Sequence, residues 1–116
     1  MKIKFIALLL CCLTMISTVP AQTIIKTPEE AAQGLYRAWS RKNRKTAQNF
    51  ARAEAINKLF ETRRQTMKFK GCAKREEGDY ECIYEDAKND LSLAMIVKFF
   101  RAGARVASVS FSSEAI

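Results

Sequence analysis

Histidine is absent from the 116 residues, and that absence removes more chemistry than any other. Without imidazole there is no Ser-His-Asp triad, no Cys-His nucleophile pair and no His-containing zinc site. Glycine is scarce and scattered. Gly34, Gly71, Gly78 and Gly103 each read as a turn or helix position, so neither a phosphate-cradling loop nor a dinucleotide fingerprint forms. Beyond residue 21 no apolar run approaches the ~20 residues that span a bilayer. Only Cys72 and Cys82 lie outside that first stretch, and two thiolates do not make a structural zinc site. No cofactor or metal is expected.

What is present begins with an export signal. Lys2 and Lys4 stand in front of an apolar run from Ile3 to Ile16, followed by Ser17-Thr18-Val19-Pro20-Ala21. Val19 and Ala21 supply the small residues that a signal peptidase needs, which predicts cleavage after Ala21. A lipid-modified cysteine fits less well, because Cys11 follows Leu10, Cys12 follows Cys11, and the apolar run continues past both. An uncleaved anchor is disfavoured by length and by Thr14, Ser17 and Thr18. The expected product is periplasmic or extracellular, with residues 22–116 forming one small soluble domain.

Charge divides this domain. Residues 22–75 carry 14 basic and 4 acidic side chains, whereas residues 76–116 carry 4 basic and 8 acidic ones. A basic half and an acidic half either make a dipolar surface or attract each other across the fold.

The basic half reads as helices. Thr27-Pro28-Glu29-Glu30 is a capping box with proline at the first helical position. Ala31, Leu35, Ala38 and Trp39 then recur at helical spacing to about Asn43. Residues 44–51 present Ala47, Phe50 and Ala51, and residues 53–62 present Ile56, Leu59 and Phe60. The pattern leaves open whether these are one bent helix or two.

From Gln65 the period falls to two. Met67, Phe69 and Gly71 alternate with Lys68, Lys70 and Cys72; after Glu76-Glu77-Gly78, Tyr80, Cys82 and Tyr84 alternate with Glu81, Ile83 and Glu85. Leu91, Leu93, Met95, Val97 and Phe99 form the longest alternation and are expected to face inward, against Leu35 and Trp39, with Ser92, Ala94, Ile96 and Lys98 opposite. Ala107, Val109 and Phe111 make a fourth strand. Helices followed by a four-stranded antiparallel meander define an α+β fold. If strands pair across Glu76–Gly78 with residue numbers summing to 154, Cys72 faces Cys82. A disulfide is then expected, in keeping with an oxidising compartment.

This order of elements resembles the NTF2-like or cystatin-like α+β roll, on Pro28 to Trp39, Phe50, Leu59-Phe60 and the strands ending in Val109-Ser110-Phe111. The resemblance implies a sheet curled around the long helix, with room for a conical pocket. It spans catalysts and non-catalytic binders, so it selects no activity. The Gln-x-Val-x-Gly hairpin of cystatin inhibitors is absent, Gln65-Thr66-Met67-Lys68-Phe69 standing apart from it.

Candidate sites are few. Glu81 and Glu85 lie ~13 Å apart along a strand, too far for an acid/base pair, and Asp86–Asp90 lacks the spacing of a calcium loop. Tyr36, Trp39, Phe69, Tyr80 and Tyr84 are candidate pocket or core aromatics. Arg37, Arg41, Lys42, Arg44 and Lys45, around the end of the first helix, are the candidate anion- or partner-binding residues, with Arg63-Arg64 closing the third helix. The expected function is non-catalytic binding, with another envelope protein or an anionic surface as partner and no specific nucleic acid. The alternatives are a minimal pocket enzyme using tyrosine or carboxylate chemistry and a cationic binder of envelope polyanions.

Overall fold

The computed structural model describes residues 24–113; the expected export signal and cleavage site lie outside them. Helix α1 spans Pro28–Ser40, α2 spans Arg44–Ala47 and α3 spans Ala53–Glu61. Strands β1 (Lys68–Lys74), β2 (Tyr80–Asp86), β3 (Leu91–Phe100) and β4 (Gly103–Ser113) follow in one antiparallel sheet of order β1-β2-β3-β4. This is the α+β meander read from the periodicity. None of the described helices is long and apolar enough to cross a membrane.

Local chemistry explains where the helices start. Thr27 Oγ1 accepts from the Glu30 amide at 3.1 Å, with Pro28 at the first helical position and Glu29 and Glu30 in the first turn. Residues 44–62 form two helices. Asn43 Oδ1 caps α2 by accepting from the Thr46 amide at 3.0 Å, and α2 stops after one turn. The chain then docks on β4: the Val106 amide donates to Phe50 O at 2.8 Å and the Arg52 amide to Val106 O at 2.9 Å. Gly34, in the middle of α1, is required by packing, since a Cβ there would overlap the Phe50 ring.

The helices cover one face of the sheet. Leu35, Leu59, Cys82, Leu93, Met95, Val97 and Val106 are the largest fully buried side chains, and they fill the space between the layers. Cys72 and Cys82 pair directly across β1 and β2 and form a disulfide, their Cα atoms 4.0 Å apart. Arg75 braces the intervening turn by pairing with Glu77 and with Asp79.

Three expectations need correction, two of them for one physical reason. Lys70 is an extra residue on β1, between Phe69 paired with Tyr84 and Gly71 paired with Ile83. Ala107 is likewise extra on β4, between Val106 paired with Val97 and Ser108 paired with Ile96. Each bulge shifts the alternation by one. Cys72 therefore shares a side with Phe69 rather than with Lys68 and Lys70. Val106, and not Ala107, is the buried residue at the middle of β4. The third correction is Phe99, which is 52% exposed. β3 runs on past Val97, its last buried position, to the β3–β4 turn.

Candidate functional site

The C-terminal end of α1 closes in an unusual way. The Lys42 amide donates to Trp39 O at 3.0 Å and the Asn43 amide to Ala38 O at 2.8 Å. These are the two hydrogen bonds of a Schellman cap, whose left-handed residue is normally glycine. Here it is Lys42, at φ 55°. A lysine in that conformation costs on the order of 1 kcal/mol, and it stands beside a cleft.

That cleft, of about 590 Å³, lies between the ends of α1 and α3 and is lined by Trp39, Lys42, Phe60, Glu61, Thr62, Arg63 and Arg64. Trp39 forms its buried inner wall and donates from Nε1 to Thr62 O at 3.4 Å, which ties the two helix ends together. Arg64 Nη1 donates to Ser40 O, pinning the segment after α3 against the end of α1. Lys42 and Arg63 are exposed and make no ion pair with any described residue. Three cations and one carboxylate, Glu61, thus surround an aromatic floor. Such a site attracts a negative group while offering apolar surface to whatever carries it.

The five cations expected at the end of the first helix have different surroundings. Arg44 Nη1 donates to Asn57 Oδ1 at 2.7 Å and its guanidinium lies 5.2 Å from the Phe60 ring centroid, so it joins α2 to α3. Arg37, exposed on α1, acts electrostatically on Tyr84. Arg41 is the C-cap residue of α1, Lys45 lies on α2, and both side chains are exposed. Lys42 alone of the five lines the cleft. Arg63 and Arg64 complete it from 21 and 22 residues away, a juxtaposition that exists only once α3 has folded back.

Four of the five expected aromatics are joined. The Tyr36 and Tyr84 rings stack at 4.3 Å, Trp39 meets Tyr36 edge-on at 5.8 Å, and Phe69 packs on Tyr84 at 5.1 Å. Tyr80 stands apart, edge-on to Phe99 at 5.9 Å. Tyr36 Oη donates to Gln65 O at 3.0 Å and accepts from the Met67 amide at 2.7 Å, so its role is to seat the strand entering β1. The acidic β2–β3 turn is also structural in part: Asp86 accepts from the Lys88 amide at 3.1 Å and from Asn89 Nδ2 at 2.6 Å. Among the described residues no group of three or more potential metal ligands converges.

Burial raises the ionisation of the Tyr84 phenol well above its ordinary 10.0, and the neighbouring Tyr36 adds to this against an opposing contribution from Arg37. Above pH ~10 the unfolded chain loses this proton while the folded chain keeps it. The unfolded state then binds fewer protons, so stability falls with rising pH. Denaturant midpoints measured at roughly pH 9 and 11 should show that fall, and Tyr84→Phe should flatten part of it. An unchanged pH dependence in the variant would place the effect elsewhere.

No family model, curated protein or solved structure matches this chain.

Proposed function

We propose that this protein is an exported, non-catalytic binding domain that takes an anionic ligand with an apolar body in the cleft between α1 and α3. The convergence of Lys42, Arg63 and Arg64 around Trp39 and Phe60 carries this reading. A volume of about 590 Å³ falls within the range of small-molecule sites. The space between helices and sheet, where a conical catalytic pocket would open, is instead filled by apolar side chains from Leu35 to Val106. This favours binding at the rim over chemistry in the interior. Export is supported by the leader read in residues 1–21 and by the Cys72–Cys82 disulfide, a bond that persists in oxidising compartments. We also keep the NTF2-like or cystatin-like roll as the proposed architectural kin, on the order of helices and strands.

Calorimetric titration with a single-chain alkyl phosphate, below its micelle concentration, tests the assignment against inorganic phosphate and a neutral alkyl glycoside. The alkyl phosphate should bind best, and its affinity should weaken as ionic strength rises past ~0.15 M. Lys42→Gln with Arg63→Gln should reduce binding about tenfold, because both exposed cations face the ligand. Equal affinity in wild type and double variant, or equal binding of the neutral glycoside, would contradict it.

A further inference from the structure

Among the described residues the exposed large hydrophobic side chains are Ile24, Phe99 and Phe100, at 61%, 52% and 37% exposure, and all three sit at the same end of the sheet. Phe100 pairs with Gly103 and Phe99 with Ala104 at the β3–β4 turn. Ile25 bridges to Gly103 and accepts from the Ala104 amide at 2.7 Å, which brings Ile24 to the same turn. That docking depends on glycine, because a Cβ at Gly103 would overlap Ile25 O. Phe99 and Phe100 are successive strand residues and project to opposite faces. The turn is therefore apolar on both sides: a wedge, unlike a flat face suited to a second sheet.

The wedge is also cationic. Residues 98–105 read Lys-Phe-Phe-Arg-Ala-Gly-Ala-Arg, with three cations and no acid, and Lys26 follows Ile24 closely. Lys26, Lys98 and Arg101 are exposed, and the Arg52 guanidinium lies 5.3 Å from the Phe100 ring centroid. Acids also stand at this end: in the β1–β2 turn Arg75 pairs with both Glu77 and Asp79 while Glu76 is exposed, and Glu54 shares a groove with Arg52, Lys98 and Phe100, so the free cations of the tip itself are Lys26 and Arg101. Aromatic rings flanked by Lys and Arg are the composition that settles at the boundary between lipid headgroups and acyl chains. The chain outside the described residues supplies a second argument. Residues 1–23, with the apolar run from Ile3 to Ile16, join the domain at Ile24, within this same tip. Until the expected cleavage after Ala21 removes that run, this tip is the part of the domain tethered next to the membrane being crossed.

We propose that the tip formed by Ile24, Phe99 and Phe100 with Lys26 and Arg101 rests on an anionic bilayer surface, holding the exported domain against the membrane it has just crossed.

The test is flotation of the exported, disulfide-bonded protein with vesicles of phosphatidylcholine, alone or with about one-third phosphatidylglycerol, at low salt. Wild type should float with the anionic vesicles and stay behind with the neutral ones. Phe99→Ser with Phe100→Ser should partition about tenfold more weakly. Arg101→Glu, on the exposed turn, should weaken binding to the anionic vesicles without touching the core. Both variants should keep the wild-type far-ultraviolet spectrum and denaturant midpoint, which verifies their fold, and any binding of the alkyl phosphate at the cleft should be unchanged, which separates this proposal from the cleft assignment. Failure of wild type to float with anionic vesicles, or equal flotation of wild type and both variants, would overturn the proposal. So would a dimer of wild type that the double variant dissolves while vesicles go unbound, since the tip would then be a contact between copies.

Discussion

Replacing Val97 with aspartate is expected to leave the domain unfolded. Val97 is fully buried at the middle of the sheet, paired with Tyr80 on β2 and with Val106 on β4. Its neighbours in the core are apolar, and no buried polar or charged residue is present among the described residues to receive a carboxylate. An uncompensated buried charge costs several kcal/mol, against a total stability of about 5 kcal/mol for a domain of this size. Loss of the far-ultraviolet helix and strand signal, or of soluble protein, is the expected observation. A Val97→Asp protein that melts cooperatively near the wild-type temperature would show that β3 is packed in another register. Val97→Ala, which removes two methyl groups and leaves no charge, should remain folded with a loss of roughly 1–3 kcal/mol.

The second large effect is expected at the disulfide. The Cys72–Cys82 bond closes a short loop, sequence separation 10, and in the chain-entropy description such a closure stabilises by roughly 2.5–3 kcal/mol. Cys72 is half-buried, so Cys72→Ser reports mainly the loss of the cross-link. Cys82 is fully buried, with its Sγ 3.7 Å from Pro28 O at the start of α1. A disulfide sulfur carries no proton, so this is packing rather than a hydrogen bond. Cys82→Ala removes the same cross-link and also leaves a gap beneath the helix, and should lose about 1 kcal/mol more than Cys72→Ser. Denaturant midpoints of the two variants and of the reduced wild type decide this. If both variants unfold at the wild-type midpoint, the sheet and helices suffice without the bond.

These two positions also show what is legible in the sequence. Pairing across Glu76–Gly78 is stated by the spacing of Cys72 and Cys82 around a glycine turn, and Gly78 indeed takes φ +94°. The core strand is stated by the alternation Leu93-Met95-Val97, and the start of α1 by Thr27-Pro28. Bulges are a different matter. Gly71, which takes φ +112° beside the β1 bulge, is the kind of strand glycine that marks one, whereas nothing in Val106-Ala107-Ser108 marks which residue goes unpaired. A period-two reading carried through a bulge therefore assigns the wrong face beyond it, as happened at Ala107. Phe99 failed for another reason. Alternation identifies a face of the sheet, but not how far the helix layer extends over it.

The cleft was half legible. Lys42 and the pair Arg63-Arg64 stand out in the sequence as cations at two helix ends, yet their meeting requires the turns between α1 and α3 to bring those ends together. The Schellman cap gave no signal either, because Lys42 occupies the position where glycine would have announced it.

Trp39 is the only tryptophan in the chain and forms the inner wall of the cleft, so its fluorescence reads occupancy of the site without a label. Titrating the disulfide-bonded protein with the alkyl phosphate should shift or quench that emission saturably. The concentration dependence should match the calorimetric binding curve, and Lys42→Gln with Arg63→Gln should need about tenfold more ligand. Saturable binding by calorimetry with Trp39 emission unchanged would place the ligand elsewhere and contradict the cleft assignment.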